Sequence, residues 1–429
     1  MHPLLSPLYA AVAGTASALA HLPVRAEAKV WRAVRARAGA VERFEHWARE
    51  HRDPSRPLLW MHAPSVGEGL QARPVLALLR QRQPALQIVY THYSPSAERF
   101  AATLGADFAD YLPFDTANAA RRLLDALRPN ALVFAKLDLW PRLAESAAAR
   151  AVPLGMISAT LSEGSARGGA VARALLGDAY AALARVGAVD TGDAERLVAL
   201  GVRADRIRIT GDTRYDQVAA RAAATDRANE LLAPLVSARP TLVAGSTWPA
   251  DEAALFPAWR ALKQTVPDAR LIIAPHEPTA SHIAPIERWA LAEGLSCSRL
   301  AAADLSHDVV VVDRVGVLGE LYALADAAFV GGGFHAAGLH SVLEPAAFGA
   351  PVLFGPRHTN SRDAGLLIAA RGGEALANAD ELTRALRIVL TESDTRARAG
   401  AAAKRMVQQG LGAAERSTAL VEELIERQR

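Results

Sequence analysis

The sequence predicts an α/β protein made of two doubly wound parallel-sheet domains facing a cleft. Three observations lead there. Short apolar runs, ended by glycine, proline or polar loops, alternate with helical stretches, which is the pattern of βαβ units. The pattern restarts after Pro240. With 429 residues, 51% of them hydrophobic and 22% charged, the chain is globular and too long for one ordinary core.

The elements follow in order. Residues 1–24 carry no Lys, Arg, Asp or Glu, and Pro3 to Pro23 is mostly apolar. A spanning helix needs about 20 predominantly apolar residues, and this Ala-rich stretch is a marginal one. No basic segment precedes it, which argues against a cleaved signal peptide. Arg25, Lys29, Arg32, Arg35 and Arg37 follow it, so the bulk of the chain is expected on the cytoplasmic side. Residues 1–28 are read as a membrane anchor or interfacial helix, with a helix packed on the protein itself as the alternative.

Pro57–His62 reads as the first strand, Leu70–Gln83 as a helix, Leu86–Thr91 as a strand and Ser94–Leu104 as a helix. Further strands are expected at Tyr111–Leu112, Ala131–Ala135, Leu154–Ile157, Val186–Val189 and Ile207–Thr210. In the second half they are expected at Thr241–Gly245, Arg270–Ala274, Val309–Val312, Ala327–Val330 and Pro351–Phe354. Asp216–Arg239, closed by Pro240, reads as a linking helix. The expected division is 29–215, a linker at 216–240, and 241–429.

Bulk charge says little. The formal net charge is +3 and the pI 9.2, with arginine as the dominant cation. Arginine suits phosphates and carboxylates, and a high-GC genome explains its abundance equally well. The single cysteine, Cys297, excludes an internal disulfide framework and a multi-cysteine metal site. No HExxH pattern or paired-carboxylate spacing appears, and His62, His92, His276, His335 and His340 are scattered, so no metal site is expected. Neither a full GxGxxG nor a P-loop is present.

Candidate site residues lie where strands end, because ligands of open α/β sheets bind outside the carboxyl ends of strands. After the first strand come Ser65-Val66-Gly67-Glu68-Gly69. Glu68 between two glycines has room to meet a bulky substrate and could act as a general base. On spacing alone, a glutamate there serves the helix macrodipole. Lys136 and Asp138 end the strand Ala131–Ala135, as a functional pair or as a plain ion pair. Arg167, in a polar loop, could hold an anion, though a solvated loop is the commoner outcome.

In the second half, Gly245-Ser246-Thr247 could let a phosphate approach backbone and helix amides, or simply cap a helix. His276 follows Ala274-Pro275. Gly331-Gly332-Gly333 lead to His340-Ser341-Val342-Leu343-Glu344-Pro345, a carboxylate and helix start placed for a ligand such as a nucleotide-sugar.

Taken together, these motifs resemble the Kdo (3-deoxy-D-manno-octulosonic acid) transferases of lipopolysaccharide synthesis over roughly residues 58–420. That family implies the GT-B architecture of two Rossmann-like domains. His62-Ala63-Pro64-Ser65-Val66-Gly67-Glu68 matches its His-Ala-x-Ser-x-Gly-Glu motif, whose glutamate is the catalytic base. Leu161-Ser162-Glu163-Gly164-Ser165 matches its Leu-Ser-x-x-Ser element, with Arg167 just after. Gly245-Ser246-Thr247 with Glu252 looks like its donor motif. The His340–Pro356 block resembles its most specific segment, whose Leu-Glu-Pro-Ala glutamate helps bind the nucleotide donor and corresponds to Glu344.

The chain departs from the family at four places. Lys136-Leu137-Asp138-Leu139-Trp140-Pro141 stands for Glu-Thr-Glu-Leu-Trp-Pro, and Asp212-Thr213-Arg214-Tyr215-Asp216 for Asn-Leu-Lys-Phe-Asp. Pro275-His276-Glu277-Pro278-Thr279 lacks both arginines of Pro-Arg-His-Pro-Glu-Arg. The family's Gly-His-Asn is Leu339-His340-Ser341.

The resemblance implies an inverting, metal-independent transferase that uses CMP-Kdo as co-substrate and a lipid A precursor as acceptor. It needs no cofactor and no nucleic-acid partner, and it works at the anionic cytoplasmic face of the bacterial inner membrane. Glu68 is then the base. Ser65, Gly67, Lys136, Asp138 and Arg167 serve the acceptor or sugar. Gly245, Ser246, Thr247, Arg214, His276, Gly332, Gly333, His340, Ser341 and Glu344 serve the donor. A GT-B transferase with another nucleotide-sugar and a non-catalytic lipid- or partner-binding relative are the alternatives.

Overall fold

The structure, a computed structural model, describes residues 1–20, 29–162 and 165–427. These divide into two compact units, one formed by Met1–Gln217 with Leu411–Arg429 and the other by Val218–Gly410.

The first unit holds a seven-stranded sheet: β1 (Leu58–His62), β2 (Gln87–His92), β3 (Phe108–Tyr111), β4 (Ala131–Ala135), β5 (Leu154–Ala159), β6 (Leu183–Ala188) and β7 (Ile207–Ile209). Their spatial order is β3-β2-β1-β4-β5-β6-β7, and every pairing is parallel. Strands β1, β2, β4 and β5 are buried along their whole length. Helices cover both faces of a parallel sheet, so such strands read as continuous apolar runs. That is why they could be found from sequence.

The second unit repeats the plan with β8 (Thr241–Thr247), β9 (Arg270–Pro275), β10 (Cys297–Arg299), β11 (Val309–Val311), β12 (Ala327–Val330), β13 (Val352–Phe354) and β14 (Gly373–Ala375). The order is β10-β11-β9-β8-β12-β13-β14, again all parallel. The α/β class with two doubly wound parallel sheets is therefore as the sequence predicts.

The details differ in places. Strands β10 and β14 span three residues each and are not fully buried, so they lack the apolar run that marks the others. The helix expected over 94–104 is a 3-10 turn, Pro95–Ala97, followed by one helical turn, Glu98–Ala101. The helix expected over 216–239 spans Arg214–Ala224. Beyond it, Asp226 accepts from the amide of Ala228, and Asn229 from those of Leu231 and Leu232. Such local bonds compete with the helical ladder.

The second domain expected over 241–429 is also corrected. Its last helix, Ala413–Glu426, belongs to the first unit. Leu420, Val421, Leu424 and Ile425 are fully buried there against Leu59, Met61, Val75 and Val133. Asp216 caps this helix, accepting from the amides of Gly412 at 2.7 Å and Ala414 at 2.9 Å.

At the other end of the chain, Ser6–Leu19 forms a helix with no buried residue. Its 14 residues rise about 21 Å, short of the roughly 30 Å bilayer core. Among the described residues no helix is long and apolar enough to cross a membrane. Leu4, Leu8 and Val12 are exposed along this segment. Of the basic residues read as following the anchor, Arg25 lies outside the described residues. Arg37 is not at the surface: it is buried, donates to the carbonyls of Leu112 and Pro113, and stacks over Tyr93, Phe114 and Trp140.

Leu424→Ala is expected to cost the first unit about 2–5 kcal/mol, the range for truncating a buried leucine. Urea unfolding of the full chain should show one transition moved and the transition of the second unit unmoved.

Candidate active site

In the first sheet the strand order reverses between β1 and β4, with His62 level with Phe134. Their carboxyl-terminal loops therefore diverge from neighbouring points, which is where α/β sheets bind ligands. Most of the first-domain candidates meet here. Ser65 caps the helix Val66–Arg82, accepting from the amide of Gly67 at 3.2 Å. Glu68 lies in the first turn of that helix. Its Oε2 accepts from the Ser65 hydroxyl and its Oε1 from Lys136 Nζ at 3.4 Å. Lys136 leaves β4 with φ +61°, a left-handed conformation costly for a residue with a Cβ and characteristic of functional sites.

Asp138 sits beside them. His62 Nε2 lies 2.9 Å from Asp138 Oδ2, and His62 Nδ1 lies 2.9 Å from the Thr91 hydroxyl. Every partner is satisfied if Nε2–H donates to Asp138 and Nδ1 accepts from Thr91. Trp140 Nε1 also donates to Asp138 Oδ2, at 3.1 Å. Arg167 donates to the Leu137 carbonyl at 2.6 Å and lies 3.9 Å from Asp138 Oδ1. Burial pushes the Asp138 carboxyl up. The His62 hydrogen bond, the Trp140 bond and the Arg167 charge outweigh burial, so the net shift is downward. In the element containing Ser162 and Ser165, residues 163 and 164 lie outside the described residues.

Arg214 belongs to the first unit. Its guanidinium grips the buried Asp212 at 2.7 and 2.9 Å, and Asp212 also accepts from Gln71 at 3.3 Å.

The second sheet has its own reversal, between β8 and β12, with Gly245 level with Val330. Here the glycines are obligatory for space. A Cβ at Gly331 would collide with the carbonyl of Ser246, and Gly332 has φ +91°. The buried Asp251 gathers the loops, accepting from the amides of Trp248 at 2.9 Å, Gly332 at 2.7 Å and Phe334 at 2.9 Å. Ser246 adopts φ +55°, and Thr247 donates to Glu252 at 2.9 Å. Burial pushes Glu252 up, with the Thr247 bond opposing.

Four rings assemble over this point. Trp248 stacks on His276 at 4.6 Å and on His335 at 4.3 Å, and His276 stacks on His340 at 4.5 Å. His340 Nε2 accepts from Trp248 Nε1 at 3.0 Å, which requires an unprotonated nitrogen. Burial, with His276 and His335 nearby, lowers His340 to about 4. Ser341 is exposed beside it. Glu344, in the first turn of the helix Leu343–Phe348, accepts from Arg221 at 3.0 Å. Burial raises the Glu344 carboxyl even against the Arg221 charge.

Known proteins share both the sequence and the fold. The family model for 3-deoxy-D-manno-octulosonic-acid transferases matches residues 35–217. The transferase of that name from Haemophilus influenzae is 29% identical over 383 residues, covering 86% of this chain and 87% of the relative. The one from Bordetella pertussis is 30% identical over 352 residues, covering 78% of this chain and 81% of the relative. The chain belongs to the 3-deoxy-D-manno-octulosonic acid transferase family. Among solved structures, a UDP-N-acetylglucosamine 2-epimerase from Listeria monocytogenes, described as putative, aligns with a TM-score of 0.63 at 16% identity. It covers 87% of this chain and 97% of that one. At that identity the likeness is one of fold.

Membership of the transferase family makes the chain a glycosyltransferase. The motif residues divide between the units: Ser65, Gly67, Glu68, Lys136, Asp138 and Arg167 in the first, and Gly245, Ser246, Thr247, His276, Gly332, Gly333, His340, Ser341 and Glu344 in the second. Sequence reasoning gave no role to Thr91, Trp140, Trp248, Asp251, Arg221 or His335. Trp140 and Trp248 were findable, since each follows a strand end and precedes a proline that opens a helix. Asp251 was findable as an acid in a first turn. Arg221 was not, because its partner is remote in sequence.

The displaced histidine predicts a pH response. Folding takes His340 from an ordinary 6.5 to about 4. Between those values the unfolded chain binds the extra proton, so stability is complete above 6.5 and falls as pH drops toward 4. His340→Gln keeps an acceptor for Trp248 and should flatten that fall, as measured by urea unfolding of the second unit across this window.

Proposed function

We propose that the chain transfers Kdo from CMP-Kdo to a lipid A precursor in lipopolysaccharide synthesis, with inversion at the anomeric carbon. One observation carries the reading: a glutamate in a helix's first turn, at the reversal point of a parallel sheet, held by a hydroxyl and an ammonium. Glu68 takes the proton from an acceptor hydroxyl as that oxygen attacks the anomeric carbon. CMP leaves with the bonding electron pair.

The end of β8, where Ser246, Thr247 and backbone amides lie beside the glycines 331–333, stabilises the leaving phosphate. Glu344, kept in place by Arg221, meets donor hydroxyls. Lys136 and Arg167 offer cations to the carboxylate and phosphate of the sugar substrates. No metal or cofactor has a role in this scheme. The exposed apolar residues of the helix Ser6–Leu19 support working at the cytoplasmic face of the inner membrane, where the acceptor resides.

Transfer from CMP-Kdo generated in situ to a tetraacylated precursor, followed by mass spectrometry, is the test. Product is expected from the wild type. Glu68→Ala should lose about 10²-fold or more, as for a general base. A wild type that binds CMP but makes no product would refute this donor–acceptor pair. Glu344→Gln should raise the donor KM and leave the acceptor KM alone.

A further inference from the structure

The loop 136–140 is followed by the helix Pro141–Ala149, and that helix has no cap of its own. Its N-cap residue, Trp140, makes no side-chain cap bond. The cap comes from elsewhere. Asp115 is 6% exposed, and its carboxylate accepts from the amides of Arg142 at 2.9 Å and Leu143 at 2.8 Å. Those are orphan donors of a helix start, where a carboxylate is doubly favoured by hydrogen bonding and by the macrodipole.

The same carboxylate accepts a third bond, from the hydroxyl of Tyr9 at 2.8 Å. Tyr9 lies on the N-terminal helix Ser6–Leu19, which has a further tie to this helix start. Arg142 Nη2 donates to the Ser6 carbonyl at 2.9 Å and to its hydroxyl at 2.6 Å. This helix, which has no buried residue, is thus tied by polar bonds to the start of Pro141–Ala149, while the chain just before it is tied by the Met1 amino group to Glu145 and Asp178 and by the His2 amide to the Ala174 carbonyl at 2.8 Å.

That point borders the candidate site. Trp140 precedes Pro141, donates to Asp138, and stacks with Tyr93 at 6.0 Å. Where the helix begins decides where the Trp140 ring lies, and the ring is one of the groups aiming Asp138 at His62.

We propose that Asp115 is a positioning residue that couples the seating of the apolar N-terminal helix, through Tyr9, to the geometry of the loop 136–140. The inference rests on reading that loop as part of the active site.

Kinetics of the full chain with CMP-Kdo test this, with the lipid A precursor held in phosphatidylethanolamine–phosphatidylglycerol vesicles. Tyr9→Phe and Asp115→Asn are expected to lower kcat about tenfold or more, the scale of a slightly misplaced catalytic group. The donor KM and vesicle binding should stay unchanged. Leu8→Ser should do the converse, weakening vesicle binding while keeping kcat. Where Asp115→Asn fails to fold, Tyr9→Phe alone decides. If both latch variants keep kcat while Asp138→Ala loses it, the coupling is wrong and the site stands. If Asp138→Ala also keeps full kcat, the loop has no role and both readings fall.

Discussion

In each unit one parallel pairing sets everything else. The first strand of each sheet, β1 or β8, is flanked by partners whose connections leave in opposite directions. Right-handed crossovers on both sides then force the helices onto opposite faces. The loops leaving β1 and β4 cannot cover one another, and neither can those leaving β8 and β12. A gap opens at the carboxyl edge. Short polar loops fill it because the strands below are too apolar to hold anything but core. The chemistry is therefore confined to strand ends, and its positions follow from strand order before any side chain is chosen.

The two gaps are furnished differently. The first is ionic: Glu68, Lys136, Asp138 and Arg167 lie close together and are braced by His62 and Trp140. The second is lined by glycine backbone and stacked rings, with Asp251 binding three amides at its base. A charged set suits proton transfer and anionic sugars. Bare backbone and flat rings suit a phosphate and a base.

Much of this was legible because parallel strands are buried on both faces and announce themselves as apolar runs. Strands β1, β2, β4, β5, β8 and β9 follow that rule. The three-residue β10 and β14 do not, and nothing in their composition marks them. Glu68, Lys136 and Asp138 could be singled out because strand ends are few. What brings them together, His62 flanked by Thr91 and Asp138, depends on strand register, which a pattern of residues does not carry. The helix expected across 216–239 failed for a local reason, since Asp226 and Asn229 turn the chain with their own side chains. The final helix was assigned to the wrong half because only its packing against Leu59 and Val133 distinguishes it from any other amphipathic segment.

That final helix has a consequence for how the protein is made. Translation delivers the chain from its amino end, and domains generally fold as they emerge. The sheet β1–β7 is complete in sequence by Ile209, yet the part of its face that receives Leu420, Val421, Leu424 and Ile425 lacks that covering until the helix Ala413–Glu426 emerges. The whole second unit is synthesised in between. It can mature on the ribosome while its neighbour waits with an open apolar flank. During that interval Asp216, the cap of the missing helix, has nothing to cap. The first sheet is thus finished only after the whole second unit has been made.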